Sequence, residues 1–435
     1  MLIVGGGFAG AAAFKALRGG NADVTVIDRR NHHLFQPLLY QVATAALSPA
    51  DIAAPIRAMA RDHDNIEVLL DEVIGVDPVT RLVRTRGGAA HAYDYLVLAT
   101  GSEFSYFGHE DWPRFAPGLK SVEDAVEIRH RILVAFERAE ATSDPEAQRK
   151  LLTFVLVGGG PTGVEMAGAL AELTRATLAR DFRHIRPAAA RILLVEAGPR
   201  LLNGFPERLG DYALEALRRM EVEVRLESPI EAIDAEGATI AGEKIPASTV
   251  IWCAGVKSTP VGEWLGVETE RNGGIRVAPD LSLPGHPEIF VLGDAAVVAE
   301  GPDERPLPWL AAVAAQQGKF VGQLIAARVA GRTDTQPFRY RDLGTMATIG
   351  RSAAVADFGR VKLSGRIAWL LWGLVHIYLL IGFRNRLSVF VNWMWSWITY
   401  GRGARLITGP IEAPAPQPKS GDASTARAAP GSTAP

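Results

Sequence analysis

The sequence predicts an α/β fold built from two Rossmann-like dinucleotide-binding units, with an amphipathic helical membrane anchor near the C-terminus. Three observations support this. Residues 2–10 read LIVGGGFAG and residues 154–168 read FVLVGGGPTGVEMAG, each an apolar strand running through G-x-G-x-x-G into an apolar helix. Each copy is followed by a second apolar strand that ends on an acid, Asp28 or Glu196. Late in the chain, two tryptophan-rich apolar runs flanked by basic residues are too short to cross a membrane.

The glycine spacing has a physical reason. In the first copy Gly5 permits the tight strand-to-helix turn, Gly7 leaves room for a pyrophosphate, and Gly10 lets helix and strand pack closely, with Phe8 and Ala9 opening the helix. Gly158, Gly160 and Gly163 repeat the pattern, with Pro161 and Thr162 at the helix start. The helix N-terminus adds unpaired N–H donors and the positive end of its dipole. One such run is a weak signal, since glycine turns also arise for structural reasons, but the acids strengthen both. The strand DVTVI (23–27) ends at Asp28, eighteen residues beyond Gly10, where a carboxylate can accept from a ribose hydroxyl. The strand RILLV (191–195) ends at Glu196, further from its glycines because 167–182 reads as an unusually long helix followed by a loop over 183–190. Two such units imply two dinucleotides, one resident and one donating electrons, and so redox chemistry. Glu196 would repel a 2′-phosphate and favours NADH over NADPH, although Arg200 nearby softens the argument.

Composition narrows the class. With 435 residues, 48% hydrophobic and 22% charged, the chain has an ordinary globular balance and room for two or three domains. A net charge of -2 gives no reason to expect nucleic acid. That average hides a basic C-terminal stretch: residues 358–409 carry Arg360, Lys362, Arg366, Arg384, Arg386, Arg402 and Arg405 and no acid. The single cysteine, Cys253, rules out a disulfide framework and a C-x-x-C dithiol, and reads as a small buried apolar residue. The nine histidines lack metal-ligand spacing, so no metal is expected. Residues 1–17 are apolar but have no basic n-region, so they read as the first strand rather than an export signal. That strand has only Leu2 to Val4 before the glycines, which would fit a few residues missing upstream.

Between the glycine motifs come a helix over 51–60 and alternating segments at 66–76, 82–85 and 95–99. The last closes in LATGS, bringing Thr100 and Gly101 to the mouth of the first sheet. IWCAG (251–255) does the same for the second unit with Gly255. The strand in PEIFVLGDAAVV (287–298) delivers Gly293 and Asp294, and an aspartate there can accept from a ribityl hydroxyl.

The order GGGFAG, ATG, GGGPTG, CAG, GDAA resembles the two-dinucleotide-binding flavoprotein reductases. Within them, NHHLFQPLLYQVAT (31–44) and HIYLLIGFRNRLSVFVNWMW (376–395) are similar to the type II NADH:quinone oxidoreductases, single-subunit NADH dehydrogenases that pump no protons. The resemblance covers residues 1–407. It implies a non-covalent FAD domain formed by 1–115 and 281–345, an NADH domain inserted as 116–280 and a membrane-anchoring region at 346–408, while beyond it the Pro/Ala/Ser/Gly-rich composition of 409–435 reads as a disordered tail. FAD contacts would fall on Gly5, Gly7, Phe8, Ala9, Gly10, Asp28, Thr100, Gly101, Gly293 and Asp294. NADH contacts would fall on Gly158, Gly160, Pro161, Thr162, Gly163, Glu196 and Gly255. The family's quinone motif, roughly A-Q-x-x-x-Q, lies on 311–316, where Gln316 matches, Ala312 replaces the first glutamine and Ala315 lines the same run. Gln316 also reads as a plain helix-surface amide beside Gln317. Glu165 has two readings as well: a catalytic group facing nicotinamide or flavin, or a first-turn acid favoured by the helix dipole.

The runs at 367–382 and 387–400 would reach about 24 and 21 Å as helices, against a bilayer core of about 30 Å. Five of the nine tryptophans, Trp369, Trp372, Trp393, Trp395 and Trp397, lie in them. Tryptophan with flanking arginine is the composition of helices lying in the lipid interface, so a monotopic anchor on the bilayer surface is preferred. A short transmembrane hairpin and a homodimer surface are the alternatives. The absence of an export or transit signal points to the cytoplasmic side of an inner membrane. The expected activity is FAD-dependent oxidation of NADH with two-electron reduction of a ubiquinone- or menaquinone-type quinone. Its rivals are a reductase of a soluble electron carrier and a slow-turnover nucleotide sensor.

Overall fold

The computed structural model of the protein describes residues 1–300, 305–332, 336–399, 401 and 403–409. The expected disordered tail and Arg402 lie outside the described residues, Gly409 excepted. The first sheet has six strands in the order Ser282–Leu283, His286–Val291, Leu96–Leu98, Leu2–Val4, Val24–Asp28, Ile66–Leu70. All neighbours are parallel except the Ser282–Leu283 pair. Leu2–Val4 and Leu96–Leu98 are buried throughout, which is why these central strands read as unbroken apolar runs rather than alternating ones. Helix α1 (Phe8–Ala16) covers this sheet.

Residues 102–104 and 256–258 pair antiparallel and lead from this sheet into a second one. Helix α2 (Val122–Ala141) opens that half of the molecule. Its four parallel strands run Glu223–Arg225, Arg191–Val195, Thr153–Val157, Thr249–Trp252, with helix α3 (Pro161–Glu172) springing from the second glycine motif. The long helix expected over 167–182 stops early. After Glu172 the chain makes one π-helical turn, Leu173–Thr177, and ends. Thr174 donates its hydroxyl to the Ala171 carbonyl, a back-bond that loosens the helical ladder.

The helix expected over 51–60 is also broken, into a turn at Pro49–Ile52, a short strand Ala53–Pro55 and a helix Ile56–Ala60. Pro55 has no N–H to donate and pushes the residue before it into extended backbone, so the chain pairs with His32–Leu34 instead. The segment 66–76 divides into two strands, Ile66–Leu70 and Val73–Asp77.

Helix α4 (Ala311–Val329) packs tightly on α1. A Cβ at Gly318 would sit 1.9 Å from the Ala9 carbonyl oxygen, and one at Gly322 2.6 Å from that of Ala13. Two glycines one turn apart thus make the groove that seats α4 against the first nucleotide helix.

A three-stranded antiparallel sheet, Thr345–Thr348, Ala354–Asp357 and Lys362–Gly365, precedes the C-terminal helices. Helices α5 (Arg366–Leu379) and α6 (Phe383–Thr399) follow. Among the described residues no helix is long and apolar enough to cross a membrane. The five tryptophans do not behave alike. Trp372 is buried with Ala368 and His376 on the inner face of α5, Trp369 and Trp393 are half-buried, and only Trp395 and Trp397 are exposed. The outer face of α5 shows Ile367, Leu370, Leu374 and Tyr378, spaced at helical repeats, and α6 adds Phe383, Leu387, Phe390 and Met394.

Candidate nucleotide and electron-transfer site

The two glycine turns are near copies in space. Gly5 has φ +99° and Gly158 φ +111°, conformations that side-chain-bearing residues avoid. A Cβ at Gly10 would fall 1.8 Å from the Gly5 carbonyl oxygen, and one at Gly163 1.8 Å from that of Gly158. By contrast, a Cβ at Gly7 or Gly160 would meet no atom within 4 Å. The third glycine of each motif is therefore a packing residue, and the second faces the open cradle at the helix N-terminus where a pyrophosphate would lie. The cradles fit the dinucleotides the sequence asks for.

The acids are equivalent too. Asp28 accepts from the Gly6 N–H at 2.6 Å and from the Arg30 N–H at 2.7 Å. Glu196 accepts from the Gly159 N–H at 2.6 Å and from the Gly198 N–H at 2.7 Å. Each carboxylate is fixed by backbone beside its cradle. Phe8 packs edge-on to His33 and Phe35, and Ala9 lies buried under α4. Pro161 and Thr162 form the first turn of α3.

Three further segments close on the cradles. The Thr100 and Thr259 hydroxyls meet at 2.6 Å, and the Gly101 carbonyl accepts from Thr259. Gly255 accepts from the Ser105 N–H at 3.1 Å. Asp294 accepts from the Ser102 hydroxyl at 2.5 Å, and the Gly293 N–H donates to Gln317 Oε1 at 2.6 Å.

The two neighbouring glutamines of α4 face different ways. Gln316 spends its amide on Arg341, donating to that carbonyl at 2.9 Å and accepting from that N–H at 3.0 Å, so it fastens the 336–344 segment to α4. Gln317, one residue on and only 1% exposed, is the amide that turns toward Gly293. Ala312 and Ala315 are half-buried on α4. His33 lies buried beneath the first cradle, with Nδ1 2.9 Å from the Gly6 carbonyl oxygen, and burial holds its pKa below the ordinary imidazole value.

Glu165, one turn into α3, accepts from the Thr348 N–H at 3.3 Å. Burial pushes its carboxyl up to about 8, against the smaller pull of that hydrogen bond, so near neutral pH it holds a proton. Cys253 is half-buried rather than buried, and desolvation pushes its thiol up to about 12, which leaves it inert as a nucleophile.

The two stretches that carry the family resemblance, some 330 residues apart in sequence, meet beside the first cradle. Trp393 Nε1 donates to Gln41 Oε1 at 2.7 Å, and Gln41 donates to the Tyr40 hydroxyl at 2.8 Å. The His376 ring lies between Phe35 at 6.1 Å and Trp372 at 4.2 Å, and burial pulls its pKa down to about 4, so it is neutral. Ser388 donates to Asp51 at 2.7 Å, adding a polar clasp to the apolar one.

Comparison with known proteins agrees with this geometry. The family profile described as Pyridine nucleotide-disulphide oxidoreductase matches residues 1–318, and the profile of the NDH2 C-terminal domain matches residues 343–402. The Type II NADH:quinone oxidoreductase Ndh of Mycobacterium tuberculosis (strain ATCC 25618 / H37Rv) is 42% identical over 422 residues, covering 94% of this chain and 90% of that protein. NdhA of the same organism is 40% identical, with 94% and 89% covered. The structure of NDH2 from Plasmodium falciparum in complex with NADH superposes with a TM-score of 0.85 at 20% identity, covering 92% of this chain and 98% of that one, a likeness of fold. On the strength of a profile spanning most of the chain and relatives at 40% identity or more over nearly all of it, the chain belongs to the type II NADH:quinone oxidoreductases, FAD-dependent enzymes of the pyridine nucleotide-disulphide oxidoreductase family.

Proposed function

We propose that the protein oxidises NADH at a bilayer surface and hands two electrons to a ubiquinone- or menaquinone-type quinone drawn from the lipid, without moving protons across it. In this reading FAD is held by residues 1–115 with 281–345, NADH by 116–280, and lipid by 346–408. The observation that carries it is the two-sidedness of α5 and α6. Their inner face, through Trp372, His376 and Trp393, packs on Phe35 and Gln41 beside the first cradle, while Leu370, Leu374 and Tyr378 face outward. A lipid-soluble acceptor fits a site built against such helices, and two helices of 14 and 17 residues give no intramembrane path of ionisable groups. The basic residues around them favour an anionic, cytoplasmic leaflet.

FAD, when bound, supplies the chemistry of hydride acceptance and two-electron release. The residues do the rest. Gly7 and Gly160 leave room for the two pyrophosphates, and Asp28 and Glu196 await the ribose hydroxyls. Gln317 steadies the Gly293 turn. Glu165 keeps a proton on its carboxyl beside the second cradle, available to a reduced acceptor.

The test is steady-state NADH oxidation by the FAD-loaded protein, with quinone analogues in vesicles or a soluble iron–sulfur carrier as acceptor, across pH 6–9. Quinone is expected to support turnover and the carrier to give little; the reverse would reject the proposal. Because the folded Glu165 carboxyl titrates near 8, the protonated form is lost as pH rises through that value, and quinone turnover should fall with it. Glu165→Gln should be slower below pH 8 and lack that falling limb. The same shift means that the stability tied to this proton is full below the usual carboxylate range and is lost as pH climbs through about 8.

A further inference from the structure

Lys120 is a lysine turned inward from the start of α2. Its backbone is fixed by the helix cap: Lys120 and Ser121 donate their N–H groups to Asp124 at 3.1 and 2.8 Å, and Asp124 donates its own to Ser121 Oγ at 3.1 Å. Its side chain is only 18% exposed. The ammonium donates to Ser102 Oγ at 2.5 Å and lies 4.0 Å from Asp294 Oδ2, while Ser102 donates to the same Asp294 oxygen at 2.5 Å. Three segments thus converge: the residue after A-T-G, the entry to α2 eighteen residues on, and the distant aspartate of G-D-A-A.

The cluster stands at the mouth of the first cradle. Asp294 follows Gly293, and a Cβ at Gly293 would lie 3.8 Å from Ala9 Cβ in the first turn of α1. Burial lowers the Lys120 pKa with only Asp294 opposing it, so the single carboxylate at 4.0 Å under-compensates the charge. An ammonium has three N–H donors, and a partly buried one is stable when those donors meet acceptors or anions. A dinucleotide brings both, in its phosphates and its ribityl hydroxyls.

We propose that Lys120 is an anchoring residue for FAD, held by Ser102 and Asp294 so that its ammonium binds the dinucleotide of the first cradle from a segment outside the first sheet. This rests on the reading that the first glycine motif holds FAD. The experiment measures FAD affinity by titrating apoprotein at low and high salt, alongside thermal unfolding, for wild type, Lys120→Met, Lys120→Arg and Ser102→Ala. One charge-assisted hydrogen bond corresponds to about tenfold or more in affinity. Lys120→Met is expected to weaken FAD binding by at least that factor and to reduce its salt dependence, Lys120→Arg to recover most of the loss, and Ser102→Ala to fall between. NADH affinity of the FAD-loaded variants should stay as in wild type. Unchanged FAD affinity in Lys120→Met, whatever its unfolding temperature, overturns the proposal by showing a tie that is only structural. If Lys120→Met does not fold, wild-type FAD affinity in Ser102→Ala overturns it instead. Wild-type apoprotein that takes up no FAD would reject the underlying reading, a result distinct from the others.

Discussion

Gly10→Ala should yield protein that has lost its yellow colour, and Gly163→Ala protein that keeps the colour but no longer responds to NADH. At both positions a methyl group would lie 1.8 Å from a backbone carbonyl oxygen, Gly5 in the first turn and Gly158 in the second. No side-chain adjustment can relieve a contact with backbone. The turn must open, moving the N–H donors away from the phosphates, and overpacking of this kind costs about 1–3 kcal/mol before lost ligand contacts are added. We expect FAD occupancy of Gly10→Ala to fall about tenfold or more, read from flavin absorbance per protein. For Gly163→Ala we expect normal occupancy and a rate of flavin reduction by NADH lowered by about two orders of magnitude, since both binding and alignment suffer. Loss of FAD from Gly163→Ala alone would mean that the two cradles are assigned the wrong way round.

The second large effect is expected at the outer face of the C-terminal helices. Leu370, Leu374 and Trp395 are 59%, 69% and 65% exposed, so replacing them with glutamate leaves the core intact and should change stability little. On a bilayer each would otherwise bury apolar surface for about 1.5–3 kcal/mol. The triple variant Leu370→Glu, Leu374→Glu, Trp395→Glu should therefore bind anionic vesicles at least about a hundredfold more weakly and lose quinone turnover in proportion. Reduction of ferricyanide by NADH should be spared. Cosedimentation and the two assays together decide the matter: a triple variant that still pellets with vesicles removes these helices as the lipid contact. Deleting the helices outright is a poorer test, because Ala368, Trp372 and Val389 are part of the core.

What could be read from sequence was local chemistry. The glycine turns, and the acids that close on them, depend on a few residues close together or one strand apart, and their spacing carries the geometry. The contact of Gln317 with Gly293 was not readable in that way. On a helix one residue is a turn of about 100°, so the sequence cannot say whether Gln316 or its neighbour faces the site, and packing against α1 decides for Gln317. Composition likewise treated five tryptophans as one class, although the inner face of α5 takes Trp372 into the core. The helix expected over 51–60 ignored Pro55, whose effect on backbone was available in the sequence. The strands of the 345–365 sheet are four residues each, too short for alternation to stand out beside two strongly apolar helices. The convergence of Ser102, Lys120 and Asp294 lies beyond any sequence pattern, because only the paired sheets bring those segments together.

Electrons are expected to enter from NADH at the second cradle and to leave to a membrane quinone by way of FAD at the first. Anaerobic double-mixing tests it most directly: FAD-loaded protein on vesicles is mixed with one equivalent of NADH and then with quinone, while flavin absorbance is followed. We expect rapid bleaching by NADH, then recovery of the absorbance on adding quinone, with one quinone reduced for each NADH consumed. Flavin that bleaches with NADH and stays bleached in the presence of excess quinone would contradict it.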